Sequence, residues 1–221
     1  MKKLSVSAFL IILSSLIILS GCGKKAENEP QDIPLSGGWT VTENFGTPDI
    51  PSEPKTAFDK AVKNGEYTPV AYLGSQVVAG TNYAFLCTDK SGALNTIKIY
   101  NDLSGNASIL DTKAVNIADY TQDAEPNYEQ LSGGFTYSSA VGTPLDDDVK
   151  TAFDKVTAEM TGVSYEPLAC LGTQVVAGIN YAVLCKATPA SANSISALTV
   201  VIIYSDLQQN ASVTSVCTFV P

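Results

Sequence analysis

LGSQVVAGTNYAFLC, residues Leu73 to Cys87, returns as LGTQVVAGINYAVLC, residues Leu171 to Cys185. The match extends outward in both directions. Leu35-Ser36-Gly37-Gly38-Trp39-Thr40 returns as Leu131-Ser132-Gly133-Gly134-Phe135-Thr136, and Lys55-Thr56-Ala57-Phe58-Asp59-Lys60 as Lys150-Thr151-Ala152-Phe153-Asp154-Lys155. On the far side, Tyr100-Asn101-Asp102-Leu103 and Asn106-Ala107-Ser108 return as Tyr204-Ser205-Asp206-Leu207 and Asn210-Ala211-Ser212. A period of roughly 95–100 residues is too long for a solenoid repeat, and each copy is large enough to close a core of its own. The spacing therefore predicts tandem domains over residues 35–117 and 131–221. The acidic, polar stretch 118–130 is the expected linker.

Each copy reads the same way. A short strand follows the double glycine. A helix comes next: in copy one Pro54 lies near its start, Ala57, Phe58, Ala61 and Val62 form an inner stripe, and Asn64-Gly65 ends it. In copy two the helix starts near Pro144, and Leu145, Val149, Ala152, Phe153, Val156 and Met160 recur at helical spacing up to Gly162. Asp146, Asp147 and Asp148 read as favourable charges on the N-terminal end of that helix's dipole. Apolar, β-branched segments then run from Pro69 to Val78, Asn82 to Cys87, Thr96 to Tyr100 and Ala107 to about Leu110. The connections between them are too short for crossovers, so the sheet must be antiparallel. The helix can bury its stripe only against one face of that sheet.

Gln76-Val77-Val78-Ala79-Gly80, repeated as Gln174-Val175-Val176-Ala177-Gly178, resembles the Gln-x-Val-x-Gly of the first binding hairpin in the cystatin superfamily. Gly37-Gly38 and Gly133-Gly134 resemble the N-terminal glycines of stefins. Asp102-Leu103-Ser104-Gly105-Asn106 looks like the Leu-Pro-Gly turn of a stefin, with Ser104 in place of proline. The resemblance covers nearly all of both copies. It implies an α+β chain of two tandem cystatin-like domains, each an antiparallel sheet of about five strands wrapped on one α-helix. It further implies reversible, non-covalent inhibition of papain-like cysteine proteases by occlusion of the active-site cleft, with no catalytic residue, metal or cofactor.

In that reading the protease-binding residues are Leu35, Gly37, Gly38, Gln76, Val77, Val78, Ala79, Gly80, Leu103, Ser104 and Gly105. Copy two contributes Gly133, Gly134, Gln174, Val175, Val176, Ala177, Gly178, Leu207 and Gln208. The valines offer apolar surface on a tight hairpin, and Gly80 permits a sharp turn and close backbone approach. Copy two departs in its last hairpin, Leu207-Gln208-Gln209-Asn210, which lacks the glycine. The other reading of the same residues is a non-inhibitory adhesion or ligand-binding module in which Gly80 and its β-branched flanks serve the hairpin alone. Trp39 and Phe135 are expected in the core, with Tyr83 and Tyr181 supporting the hairpins.

The N-terminus sets the compartment. Met1-Lys2-Lys3, an apolar stretch from Leu4 to Leu19 and then Leu19-Ser20-Gly21-Cys22 make an export signal whose end matches the lipobox of bacterial lipoproteins. The expectation is a signal peptide over 1–22, a diacylated Cys22, a flexible tether over 23–34, and a protein held on the cell membrane outside the cytoplasm. The full chain of 221 residues carries 13 Lys+Arg against 22 Asp+Glu, a formal charge of -9, so nucleic acid is not the expected partner. The absence of histidine removes Ser-His and Cys-His nucleophile pairs and imidazole bases, which argues against most hydrolases. With Cys22 lipidated, Cys87, Cys170, Cys185 and Cys217 remain. Cys87 and Cys185 read as buried small hydrophobes, whereas a bridge involving Cys170 or Cys217 is left open.

Overall fold

A computed structural model describes residues 50–121, 135–137, 145–192 and 195–221. Copy one begins with α1 (Ser52–Ala61) and continues as β1 (Tyr67–Val78), β2 (Gly80–Asp89), β3 (Leu94–Asn101) and β4 (Ala107–Ala114). These four strands form an antiparallel meander in chain order. Copy two places β5 (Thr136–Tyr137) before α2 (Asp147–Glu159), then runs β6 (Val163–Val176), β7 (Gly178–Pro189), β8 (Ala197–Ser205) and β9 (Ala211–Thr218). β5 pairs only Thr136 and Tyr137 with the middle of β6.

Local chemistry explains the elements. α1 buries Pro54, Ala57 and Phe58 on one stripe, and Asn64 and Gly65, both at φ 57°, turn the chain away after it. α2 buries Val149, Ala152, Phe153 and Val156, and Gly162 at φ 83° does the same service. Asp147 and Asp148 occupy its first turn, where they meet the positive end of the helix dipole.

The central strands carry a different signal. In β2 every residue from Asn82 to Cys87 is buried, and in β8 every residue from Leu198 to Ile203. Successive strand residues point to opposite faces, so a strand buried without alternation is covered on both. One face of the first sheet presents Tyr83, Phe85, Ile97 and Ile99 to Phe58 of α1. The matching face of the second presents Tyr181, Val183, Val201 and Ile203 to Phe153 of α2. The remaining faces meet each other: Ala84 and Leu86 share one continuous core with Ala182, Leu184, Val200 and Ile202. The layers therefore run helix, sheet, sheet, helix. A 3₁₀ turn, Ile117–Tyr120, strengthens the join. Ile117 enters the shared core, Tyr120 stacks on Phe219 with ring centroids 5.6 Å apart, and the Tyr120 carbonyl accepts from Ser215 Oγ at 2.7 Å.

This corrects the expected α+β pair of tandem cystatin-like domains with five strands wrapped on one helix. Each sheet has four principal strands, the second gaining only the two-residue β5. Each short helix covers one face, and the opposite faces close on each other to make one sheet-dominated domain. The expectation matched the helix stripe to one sheet face and assigned nothing to the other. Yet Asn82-Tyr83-Ala84-Phe85-Leu86-Cys87 is apolar at both parities after Asn82, which demands cover on both sides. The strand expected after Gly37-Gly38, the signal peptide, Cys22 and the tether lie outside the described residues. Among the described residues no helix is long and apolar enough to cross a membrane.

Candidate functional site

Two turns lie side by side at one end of each sheet. The β1–β2 hairpin closes at Ala79, with Val78 opposite Gly80, Val77 opposite Thr81 and Gln76 opposite Asn82. The Gln76 and Asn82 side chains join across the strands, Asn82 Nδ2 donating to Gln76 Oε1 at 2.8 Å, and Asn180 and Gln174 repeat this at 2.7 Å. β3 ends beside this tip because Thr81 pairs with Asn101. Tyr100 then donates its hydroxyl to the Ala79 carbonyl at 2.6 Å, and Tyr204 does so to Ala177 at 2.5 Å.

Gly80, at φ 123°, runs so close to the neighbouring strand that a Cβ there would collide with the Asn101 carbonyl oxygen. Gly178, at φ 133°, stands in the same relation to Ser205. The close backbone approach expected of these glycines is thus made within the chain itself, between one tip and the next.

The second turn is pinned by an aspartate. Asp102 Oδ1 accepts from the Ser104 and Asn106 amides, each at 2.8 Å, while Asn106 Nδ2 donates to Oδ2 at 2.9 Å. Asp206 is held by Gln208 and Asn210 in the same pattern. These donors stabilise the charged form and lower both carboxyls below the usual range, the asparagine side chain contributing most. The glycine missing from copy two changes little in shape, since Gln209 adopts φ 62° where Gly105 has 78°. A lysine from each helix caps the turn: Lys60 Nζ donates to the Gly105 carbonyl and Lys155 Nζ to Gln209, both at 2.7 Å.

These rigid turns hold apolar side chains in solvent. Val77 is 67% exposed and Val175 73%, with Leu103 and Leu207 at 88% and 80%. Val78, Ala79, Val176 and Ala177 are also exposed, as are Ser104 and Gln208, whereas Gln76, Gln174 and Gly105 are half-buried and Gly80 and Gly178 buried. Each copy thus brings its Gln-to-Gly pentapeptide and its leucine turn together. Leu35, Gly37, Gly38, Gly133, Gly134 and Trp39 lie outside the described residues, and Phe135 packs against the shared core.

On the helix side of the tips the copies diverge. Tyr83 donates to Glu53 of α1 at 2.8 Å, and burial together with this carboxylate pushes its phenol up to about 12. In copy two the aligned pair is Tyr181 and Asp148. The side chain of Asp148 is one methylene shorter, and among the described residues no hydrogen bond joins it to the Tyr181 hydroxyl as Glu53 is joined to Tyr83. A groove of about 360 Å³ opens there, lined by Asp148 and Ala152 of α2, Val175, Ile179, Tyr181 and Leu207. Burial, then the Asp148 charge, raises the Tyr181 phenol and keeps it neutral.

Asp102, Asp206, Tyr100, Tyr204 and the Asp148–Tyr181 groove were not singled out from sequence as parts of a site. The Asp-to-Asn spacing of four, present in both copies, was the available signal for the pinned turns. Cys87, Cys170, Cys185 and Cys217 are unpaired, and burial raises the Cys87, Cys170 and Cys185 thiols, Cys170 to about 11, so none of these three is an activated nucleophile. Among the described residues no group of three or more His, Cys, Asp or Glu is placed to hold a metal. The chain matches no family model and no curated relative.

Proposed function

We propose that the paired hairpin tips are a protein-binding wedge that reversibly occludes the active-site cleft of a papain-like cysteine protease. The observation that carries this reading is the exposure of Val77, Val78 and Leu103 on two turns locked by backbone and side-chain hydrogen bonds. The Gln-Val-Val-Ala-Gly resemblance to the cystatin superfamily supplies the target class. A wedge that is rigid before binding loses little conformational freedom on docking.

Magnitudes decide how much the tips must be helped. Burying three aliphatic side chains contributes about 5–9 kcal/mol at about 1.5–3 kcal/mol each, against association costs of about 4–15 kcal/mol. One tip pair alone is a weak binder on this arithmetic, so the segment containing Leu35, Gly37 and Gly38 adds the remaining contacts. The protein acts outside the cytoplasm, lipid-anchored through Cys22. From Cys22 to Leu35 an extended chain reaches at most about 45 Å, which brings a target close to the membrane.

The second reading, a module for adhesion or ligand binding, is favoured by one observation: Gly80 and Gly178 are required by their own neighbouring strands, whatever the tips touch. Titrating papain with the fragment beginning near Gln31 separates the two. Dose-dependent inhibition that Val77→Asp and Val78→Asp abolish in a folded protein supports the wedge. Inhibition indifferent to both substitutions, or none at micromolar fragment, turns the assignment to the second reading.

A further inference from the structure

We infer that the outer edge of β4 is a docking site for a second copy of this chain, the two β4 strands pairing antiparallel about a two-fold axis at Thr112. The proposal stands apart from the protease reading, because it concerns the last strand of the first sheet and leaves the tips free.

β4 closes the order β1-β2-β3-β4, and among the described residues no strand pairs with its outer side. From Ser108 to Ala114 every residue is exposed, Leu110 to 57%. Its counterpart β9 also ends a sheet, but there Ser215 is buried and donates to the Tyr120 carbonyl. The two sheet ends are therefore unequal, and the bare one lies in copy one. An edge strand with unpaired amides and carbonyls is a template for another strand. Leu110 is the extra residue of a bulge, since Lys98 pairs with Asp111 and Ile99 with Ile109, so the regular run open to pairing is Leu110 to Ala114.

Backbone geometry and charge select the occupant. The Val115 amide donates to the Leu94 carbonyl at 2.9 Å. Bonded and non-bonded positions alternate along an antiparallel pair, so Lys113 and Asp111 direct their backbone groups to β3, while Thr112 and Ala114 direct theirs outward. With the axis at Thr112, the Thr112 N–H and C=O of one copy meet those of the other. Asp111 then stands opposite Lys113, and Lys113 opposite Asp111, in the positions where cross-strand side chains approach most closely. A two-fold interface requires this kind of self-complementarity. Moving the axis by one residue, to Asp111 or to Lys113, would set like charges against each other. Lys113 enters no ion pair among the described residues, and Asp111 only one, to Lys98 at 4.0 Å on the same face of the sheet. β9 carries Ser215-Val216-Cys217 at the matching positions and offers no such pattern. A join of this length belongs to the small, transient class of interfaces.

Sedimentation velocity tests this on the fragment beginning at Gln31, which keeps every residue of the three buried clusters. Between micromolar and millimolar concentration the parent is expected to pass from monomer to dimer. Asp111→Lys and Lys113→Asp, both at exposed positions, should leave the circular dichroism unchanged and each weaken the dimer roughly tenfold, because each sets like charges together twice. In an acidic protein Asp111→Lys lowers the overall self-repulsion, so bulk charge alone predicts tighter association and local pairing predicts weaker. An equimolar mixture of the two variants opposes lysine to aspartate at both pairs and is expected to recover the parent's affinity. The proposal is overturned if the parent stays monomeric at millimolar concentration, if either variant associates as tightly as the parent, or if the mixture fails to recover.

Discussion

The two copies share their tips and differ beneath them. Around Phe58, copy one packs three further rings, with Phe58 and Phe85 edge-on at 5.0 Å, Tyr72 and Phe85 at 5.6 Å, and Tyr72 and Tyr83 at 6.3 Å. Copy two puts Cys170 where copy one has Tyr72 and Val183 where it has Phe85, leaving Phe153 and Tyr181 among mainly aliphatic neighbours with Tyr165 at the margin. Its helix compensates with length, 13 residues against 10, burying Val149 where copy one has Pro54 and Val156 in addition. Repeated surface sequence therefore says little about the layer that supports it. Two ring losses and one shortened carboxylate distinguish the second copy's helix face from the first's.

That comparison breaks first on the helix-face cores. Phe85→Ala is expected to destabilise by about 3–5 kcal/mol, and Val183→Ala by about half as much, measured by urea unfolding. Equal costs would mean that the aromatic cluster does not distinguish the copies. On the shared inner face the copies should instead behave alike. Leu86→Ala and Leu184→Ala each cost about 2–5 kcal/mol and lower a single unfolding transition, since both residues sit in one core. Calorimetry that resolves two separate transitions would show that the copies stand independently.

The tips sharpen it further. Gly80→Ala and Gly178→Ala are each expected to cost more than about 2 kcal/mol, because the new Cβ meets a neighbouring carbonyl. Gly92→Ala, at φ 85° with open space around it, bears only the conformational penalty of about 1–2 kcal/mol. Next comes the tyrosine pair: Tyr83→Phe costs about 1 kcal/mol through its lost bond to Glu53, while Tyr181→Phe is close to neutral. The smallest effect is alkaline. The Tyr83 phenol is raised in the folded state, so its contribution is complete below the ordinary phenol range and fades as pH rises through about 12. Ultraviolet absorbance titration of the parent against Tyr83→Phe reads this directly, and a Tyr83 that titrates with the exposed tyrosines would remove the Glu53 contact from the account.

Much was legible along the chain. Pro54 to Phe58 and Val149 to Val156 carry helical spacing. The β-branched runs ending at Val78, Cys87 and Tyr100, with glycine or aspartate turns between them, carry strand signals. The antiparallel order followed from connections too short to cross over. The Gln-to-Gly tips and leucine turns were also legible, because turn chemistry acts between residues a few positions apart, as Asp102 and Asn106 do.

The partner of each sheet's second face was not legible in this way. Ala84 and Leu86 announce by their apolarity that something must cover them, but covering them with Ala182 and Leu184 joins residues nearly a hundred positions apart. Burial is nondirectional, so an apolar strand specifies an amount of cover and leaves its source to whichever surface completes the packing. The groove arose at the same level. Glu53 against Asp148 looks conservative in the chain, and only the packing of each helix on its sheet shows that Glu53 accepts from Tyr83 while Asp148 lines a groove with Tyr181.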